Sequence, residues 1–204
     1  MNPDEQKMFG TDEARRFQKI METFGTPTTP TPQYDSTRRE SFDVQGPIDT
    51  PRASYPTTNG VLPKSYGVTQ GYGNRNDIER FSGGVNYGTD FGTPENTPLS
   101  APPGKWKVVS SFAGAKGRGY IGNSTNSGYG NSILLQNAKT GERIRFSHLN
   151  KVYHKPGTEI EGGTLLGLTG DTGNTTGYHL DTEYYNQGGK IEDILNSPYG
   201  YLFR

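Results

Sequence analysis

The stretch Gly170-Asp171-Thr172-Gly173-Asn174-Thr175-Thr176-Gly177-Tyr178-His179-Leu180-Asp181 carries the residues best suited to chemistry. A glycine-rich turn leads into a short segment of alternating polarity that ends in His179-Leu180-Asp181. Side chains two residues apart on a strand leave on the same face. His179 and Asp181 are therefore expected to enter one groove, and an imidazole beside a carboxylate is equipped for proton transfer or cation binding. The chain has no Cys, which excludes disulfides and thiolate zinc sites.

This segment is similar to the last motif of the lysostaphin/LytM-type zinc endopeptidases, G-x-T-G-x-S/T-T-G-x-H-L-H, with Asp181 in place of the final His. Further segments resemble the same family in order. They are Val68-Thr69-Gln70-Gly71-Tyr72-Gly73; Gly84-Val85-Asn86-Tyr87-Gly88-Thr89-Asp90-Phe91, with Asn86 where the family has His; Gly128-Tyr129-Gly130-Asn131; Phe146-Ser147-His148-Leu149; and the hairpin Gly157 to Gly167. The resemblance implies an antiparallel β peptidase domain that acts on peptidoglycan cross-bridges. It implies Asn86, Asp90 and Asp181 at the metal position, and His148 and His179 as the catalytic pair that polarises water or stabilises an oxyanion. The implied ligand set thus changes from His/Asp/His to Asn/Asp/Asp. The family's ion is Zn²⁺, which favours imidazole and thiolate. Two carboxylates and an amide suit Ca²⁺, Mg²⁺ or Mn²⁺, or no ion at all. Glu183 is expected to support the fold through a hydrogen bond, and His154 to be a solvated loop residue.

The elements that must position these groups are short strands. The chain has 29 glycines, 14 prolines and 29% hydrophobic residues in 204, a mixture that suits many strands and tight turns rather than a helical bundle. Apolar or alternating runs at Lys107–Ser110, Ser132–Leu135, Arg143–Phe146 and Leu165–Leu168 predict strands. Lys139–Glu142 and Gln187–Lys190 predict hairpin turns. The fold class is mainly β and antiparallel over residues 66–204, with helix expected only at 191–195. Residues 114–128 read as a mobile loop beside the groove. Tyr87, Trp106, Tyr120, Tyr129, Tyr178, Tyr184 and Tyr185 are aromatics for either ligand contact or strand packing.

Residues 1–24 read as an amphipathic helical anchor, with Ala14, Phe17, Ile20, Met21 and Phe24 on one stripe over 11–24. Residues 25–65 are Thr- and Pro-rich and read as an extended arm or linker. Residues 1–60 are thus expected to tether the domain to a structural protein partner. Lys plus Arg and Asp plus Glu both number 21, which gives no electrostatic bias toward nucleic acid. No segment reaches the length of a membrane span, and no signal peptide is expected. Three functions remain open: a non-hydrolytic, wall-binding or structural domain in an assembly such as a phage virion or tail; an active virion-associated metallo-endopeptidase; and a regulator of another wall hydrolase. The expected location is a virion, or export without a signal peptide, and otherwise the cytoplasm where it is made. A peptidoglycan peptide is the expected ligand.

Overall fold

The structure is a computed structural model that describes residues 61–75 and 83–204. The expected helix over 1–24 and the arm up to residue 60 lie outside the described residues. Among the described residues the fold is an open antiparallel sheet without α-helix. Its strands are β1 (Val68–Gln70), β2 (Thr89–Phe91), β3 (Pro98–Ser100), β4 (Lys105–Phe112), β5 (Asn131–Asn137), β6 (Arg143–Val152), β7 (Glu159–Glu161), β8 (Leu165–Thr169), β9 (Leu180–Tyr185) and β10 (Ile191–Glu192). The main order is β1-β2-β9-β6-β5-β4-β7; β10 pairs with β9, and β8 with β3 and β6.

Alternation divides the sheet into two faces. One face carries Phe91, Val108, Ile133, Leu135, Ile144, Phe146, Leu180 and Tyr184, all in the main core. Val61 and Leu62 join that core, and the Val61 carbonyl accepts the Ser100 N–H at 2.9 Å. Packing therefore reaches into residues that composition alone assigns to the arm. The 191–195 region differs from its helical expectation. Ile191 and Glu192 pair with Tyr185 and Tyr184 as a strand, and only a 3-10 turn follows at Ile194–Asn196. The partner strand β9 supplies ladder bonds that a short local helix could not match.

A buried polar network locks the far edge of the core. Glu142, next to the β5–β6 turn, accepts hydrogen bonds from Tyr184 Oη (2.7 Å), Tyr199 Oη (3.0 Å) and Thr140 Oγ1 (2.7 Å). Tyr199 in turn packs against Trp106, whose indole N–H donates to the Pro102 carbonyl at 2.8 Å. Burial alone pushes the Glu142 carboxyl up, but the three hydroxyl donors outweigh it and hold its pKa below the usual 4.5.

A carboxyl whose pKa is depressed by folding stabilises the folded state fully above its unfolded pKa. That contribution is lost as pH falls through the lower, folded value. Glu142→Gln should therefore cost about 1–3 kcal/mol at neutral pH. The gap to wild type should narrow on acidification below pH 4.5, as read by denaturant unfolding.

Candidate functional site

The face opposite the main core brings the expected site residues together. In register, Asp90 of β2 faces Asp181 of β9, and Asp181 faces Ser147 of β6. Directly paired side chains on one sheet face have Cβ atoms about 4.5–5.5 Å apart. Two carboxylates and a serine thus form one row. Asn86 stands at its edge: its Nδ2 donates to Asp90 Oδ1 at 3.4 Å, while its Oδ1 accepts the Gly88 N–H at 2.8 Å. Asp181 reaches its place only because residue 88 has no side chain. A Cβ on Gly88 would lie 1.9 Å from Asp181 Oδ1 and 3.2 Å from the Thr182 carbonyl oxygen.

His148 enters the row through a bulge. Asn131 pairs with Leu149 but Ile133 pairs with Phe146, so β6 carries one residue more than β5 between these pairs. The extra residue breaks the alternation, so Ser147 and His148 are both displaced from the core while Phe146 and Leu149 on either side are fully buried in it. The backbone at His148 adopts φ 60°, in the left-handed region. Two bonds hold it there. The His148 N–H donates to the Tyr129 carbonyl at 2.9 Å, and its ring Nδ1 donates to the Thr172 carbonyl at 2.8 Å.

His179 is fixed in the same way, by Nδ1 donating to the Gly177 carbonyl at 2.8 Å. A carbonyl can only accept, so each ring carries its proton on Nδ1 and keeps the Nε2 lone pair when neutral. The two rings lie 4.7 Å apart between centroids. His179 Nε2 is 3.8 Å from Asp90 Oδ2. Burial pushes the His148 pKa down to about 3, with the neighbouring His179 adding to the shift. Burial lowers His179 as well, against the pull of its Gly177 bond and of Asp171. The site therefore presents two neutral imidazoles, available as acceptors, above a pair of carboxylates.

Glu183, two residues beyond Asp181 on the same face, is buried and acts as a hub. It accepts Tyr129 Oη at 3.1 Å and Tyr185 Oη at 2.5 Å, and pairs with Arg145 Nε at 3.4 Å. This is the supporting role the sequence predicts. Arg145 and Ser147 are site-face residues that the sequence reading does not single out. Their signal is the every-second-residue spacing of Arg143, Arg145 and Ser147 within a strand. His154 is half-buried and hydrogen-bonded to the Leu165 carbonyl at 2.8 Å rather than solvated. Among the aromatics, Trp106, Tyr184 and Tyr185 are buried packing residues, whereas Tyr120 and Tyr178 are exposed on the rim.

The expected mobile loop 114–128 is tied down. Its Gly119 and Tyr120 N–H groups donate to the carbonyls of Asp171 (2.6 Å) and Gly173 (3.1 Å), and Arg118 Nε bonds Asp171 Oδ2 at 2.8 Å. Gly173, at φ 87°, makes the approach possible, since a Cβ there would lie 2.4 Å from the Gly128 oxygen.

As a metal centre the row offers two carboxylates and an amide. Asn86 turns its N–H groups toward Asp90 and spends its oxygen on Gly88. None of Asn86, Asp90 and Asp181 supplies the imidazole or thiolate around which tetrahedral zinc sites are built, so this arrangement does not fit zinc. Among the described residues no group of three or more His, Asp or Glu side chains is placed to hold an ion.

Comparison with known proteins places the site in context. Residues 84–193 match the model of Peptidase family M23. The chain is 30% identical over 107 residues to the DD-carboxypeptidase/endopeptidase Mpg of Neisseria meningitidis serogroup B, covering 52% of this chain and 21% of that protein. It is 32% identical over 102 residues to the peptidoglycan DD-endopeptidase ShyA of Vibrio cholerae, covering 50% of this chain and 20% of that protein. The match thus spans about a fifth of the length of these relatives. Among solved structures, the catalytic domain of lysostaphin from Staphylococcus simulans superposes with a TM-score of 0.53 at 27% identity, over 68% of this chain and 93% of that one.

His148 should remain neutral and hold its Nδ1 proton from pH 8 down to pH 5. Long-range ¹H–¹⁵N spectra of its ring read this directly, and a titration midpoint near the ordinary 6.5 would contradict the buried geometry.

Proposed function

The chain belongs to peptidase family M23, and from that premise we propose that it is a peptidoglycan-endopeptidase-like domain that binds wall peptide without hydrolysing it. The observation that carries this reading is the state of Asn86. Its amide nitrogen faces Asp90 and its oxygen is held by Gly88 N–H, so a hydrogen-bond donor occupies the corner where the family resemblance places an imidazole. With Asp181 at the opposite corner, both nitrogen donors of the resembled zinc set have become oxygen- or amide-bearing groups. An M23 centre so altered lacks the ligands that would hold zinc and lower the pKa of a bound water.

The groove remains built for a polar backbone. Neutral His148 and His179 offer acceptors, and Tyr120 and Tyr178 stand exposed at the rim, where aromatic rings with polar edges suit peptide contact. The retained imidazole pair also favours a second reading, an active metallo-endopeptidase with atypical ligands. Attachment in a larger assembly such as a virion is supported by the amphipathic pattern of 11–24 and the Thr- and Pro-rich 25–65.

Purified protein incubated with peptidoglycan and zinc should release no soluble muropeptides. Release that a chelator and His179→Ala both abolish would establish the active reading instead. The double substitution Asn86→His with Asp181→His should create zinc affinity measurable by calorimetry where wild type shows none. Deleting residues 1–24 should abolish co-purification with the partner assembly while leaving the β domain soluble.

A further inference from the structure

The segment that runs from Asp171 to His179 also organises a second set of polar groups, on the rim beside the imidazole pair. Arg118 reaches out of the loop 114–128 and lays its guanidinium 5.1 Å over the Tyr178 ring. Its Nε donates to Asp171 Oδ2 at 2.8 Å. That bond uses one of the several N–H groups of the guanidinium. The Arg118 side chain is 70% exposed, and among the described residues its terminal N–H groups meet no acceptor. Asp171 is buried, so the fork is fixed from below by a carboxylate and from the side by a ring.

Tyr178 is exposed, and among the described residues its ring is stacked on one face only. Desolvation at the rim, and then the Glu95 carboxylate beside its hydroxyl, hold its pKa above the usual 10, so the hydroxyl keeps its proton. Glu95 is itself exposed. An aromatic ring with a free face thus stands between a guanidinium and a carboxylate. The Cα atoms of Tyr178 and His179 are about 3.8 Å apart, so this arrangement adjoins the groove.

A pyranose fits such a surface. The C–H face of the sugar packs on the aromatic ring, and its edge hydroxyl and acetamido oxygens meet the charged groups. The core of a protein–protein contact is instead depleted of charge, which Arg118 and Glu95 do not permit here. A wall peptide also brings a sugar with it, because its amino end is joined by an amide to the lactyl group of an N-acetylated amino sugar. A peptide whose amino end leaves the groove over Tyr178 sets that sugar on the ring.

We propose that Tyr178, Arg118 and Glu95 form a subsite for an N-acetylated amino sugar of the glycan strand, stacked on the free face of Tyr178 and bonded by the terminal N–H groups of Arg118. The proposal rests on the wall-peptide reading and adds the part of the wall polymer that the rim selects.

The test is calorimetric titration of the full chain with three probes. They are N-acetyl-L-Ala-γ-D-Glu-L-Lys-D-Ala, the same peptide carried on N-acetylglucosaminyl-N-acetylmuramic acid, and that disaccharide alone. The disaccharide-peptide should bind about 10-fold more tightly than the acetyl peptide. Tyr178→Leu should make the two affinities equal, whereas Tyr178→Phe, which keeps the ring, should preserve most of the difference. Arg118→Lys, which keeps a cation for Asp171 and loses the fork, should reduce it. Acetyl peptide and disaccharide-peptide that bind equally, or a difference that survives Tyr178→Leu, would overturn the proposal and leave the wall-peptide reading standing. Binding of the disaccharide without binding of the acetyl peptide would do the reverse. Binding of none of the three would overturn both. Cleavage of the disaccharide-peptide during the titration would overturn the non-hydrolytic reading and leave the sugar preference standing.

Discussion

Everything at the site depends on the register among β2, β9 and β6. Asp90, Asp181 and Ser147 share a row only because Thr89–Phe91 and Arg143–Ser147 both pair with β9 without a slip. A shift of β9 by one residue would send Asp181 into the apolar core and lift Leu180 into the groove. The core prevents that shift. Leu180, Phe91, Phe146 and Tyr184 are all buried on the opposite face, so a slip would cost several buried side chains at about 1.5–3 kcal/mol each. Hydrophobic packing on one face thus fixes polar geometry on the other.

Against that regular ladder, the bulge between β5 and β6 is what supplies the His148 imidazole. The extra residue in β6 puts Ser147 and His148 off the core side in succession and forces the left-handed backbone at His148. A non-glycine residue in that region is sparsely tolerated and persists where neighbours over-determine it. Here the Tyr129 and Thr172 carbonyls do so. Tyr129 also reaches Glu183 through its hydroxyl, so the bulge is tied to β9 as well as to the loop. The hub at Glu183 also reaches further along β9, since Tyr185, its other hydroxyl donor, carries the stacked Arg143.

Much of this was legible before any coordinates. Apolar runs at 132–135 and 143–146 mark strands by composition alone, and the His179–Asp181 spacing marks a shared face. Asn86, Asp90, His148 and Asp181 could be brought together only through family resemblance, because Asp90, His148 and Asp181 stand 58 and 33 positions apart in turn and meet by topology and not by local pattern. The bulge at Ser147–His148 was not legible, since it exists only as a difference in residue count between two paired strands. Residues 191–192 form a strand because β9 happens to offer them an edge, and nothing within the segment itself announces that partner. The loop 114–128 reads as loose because its composition is Gly, Ser and Asn; its main-chain anchors are the backbone carbonyls of Asp171 and Gly173, which carry no residue signature.

Those anchors link two features that would otherwise be independent. The rim at 119–122 hangs from Asp171, Gly173 and Asn174, and the carbonyl that aims His148 belongs to Thr172, in the middle of the same segment. The rim and the imidazole therefore share their supports on that segment. The position of the groove rim and the pointing direction of the ring are thus set by one four-residue segment, 171–174.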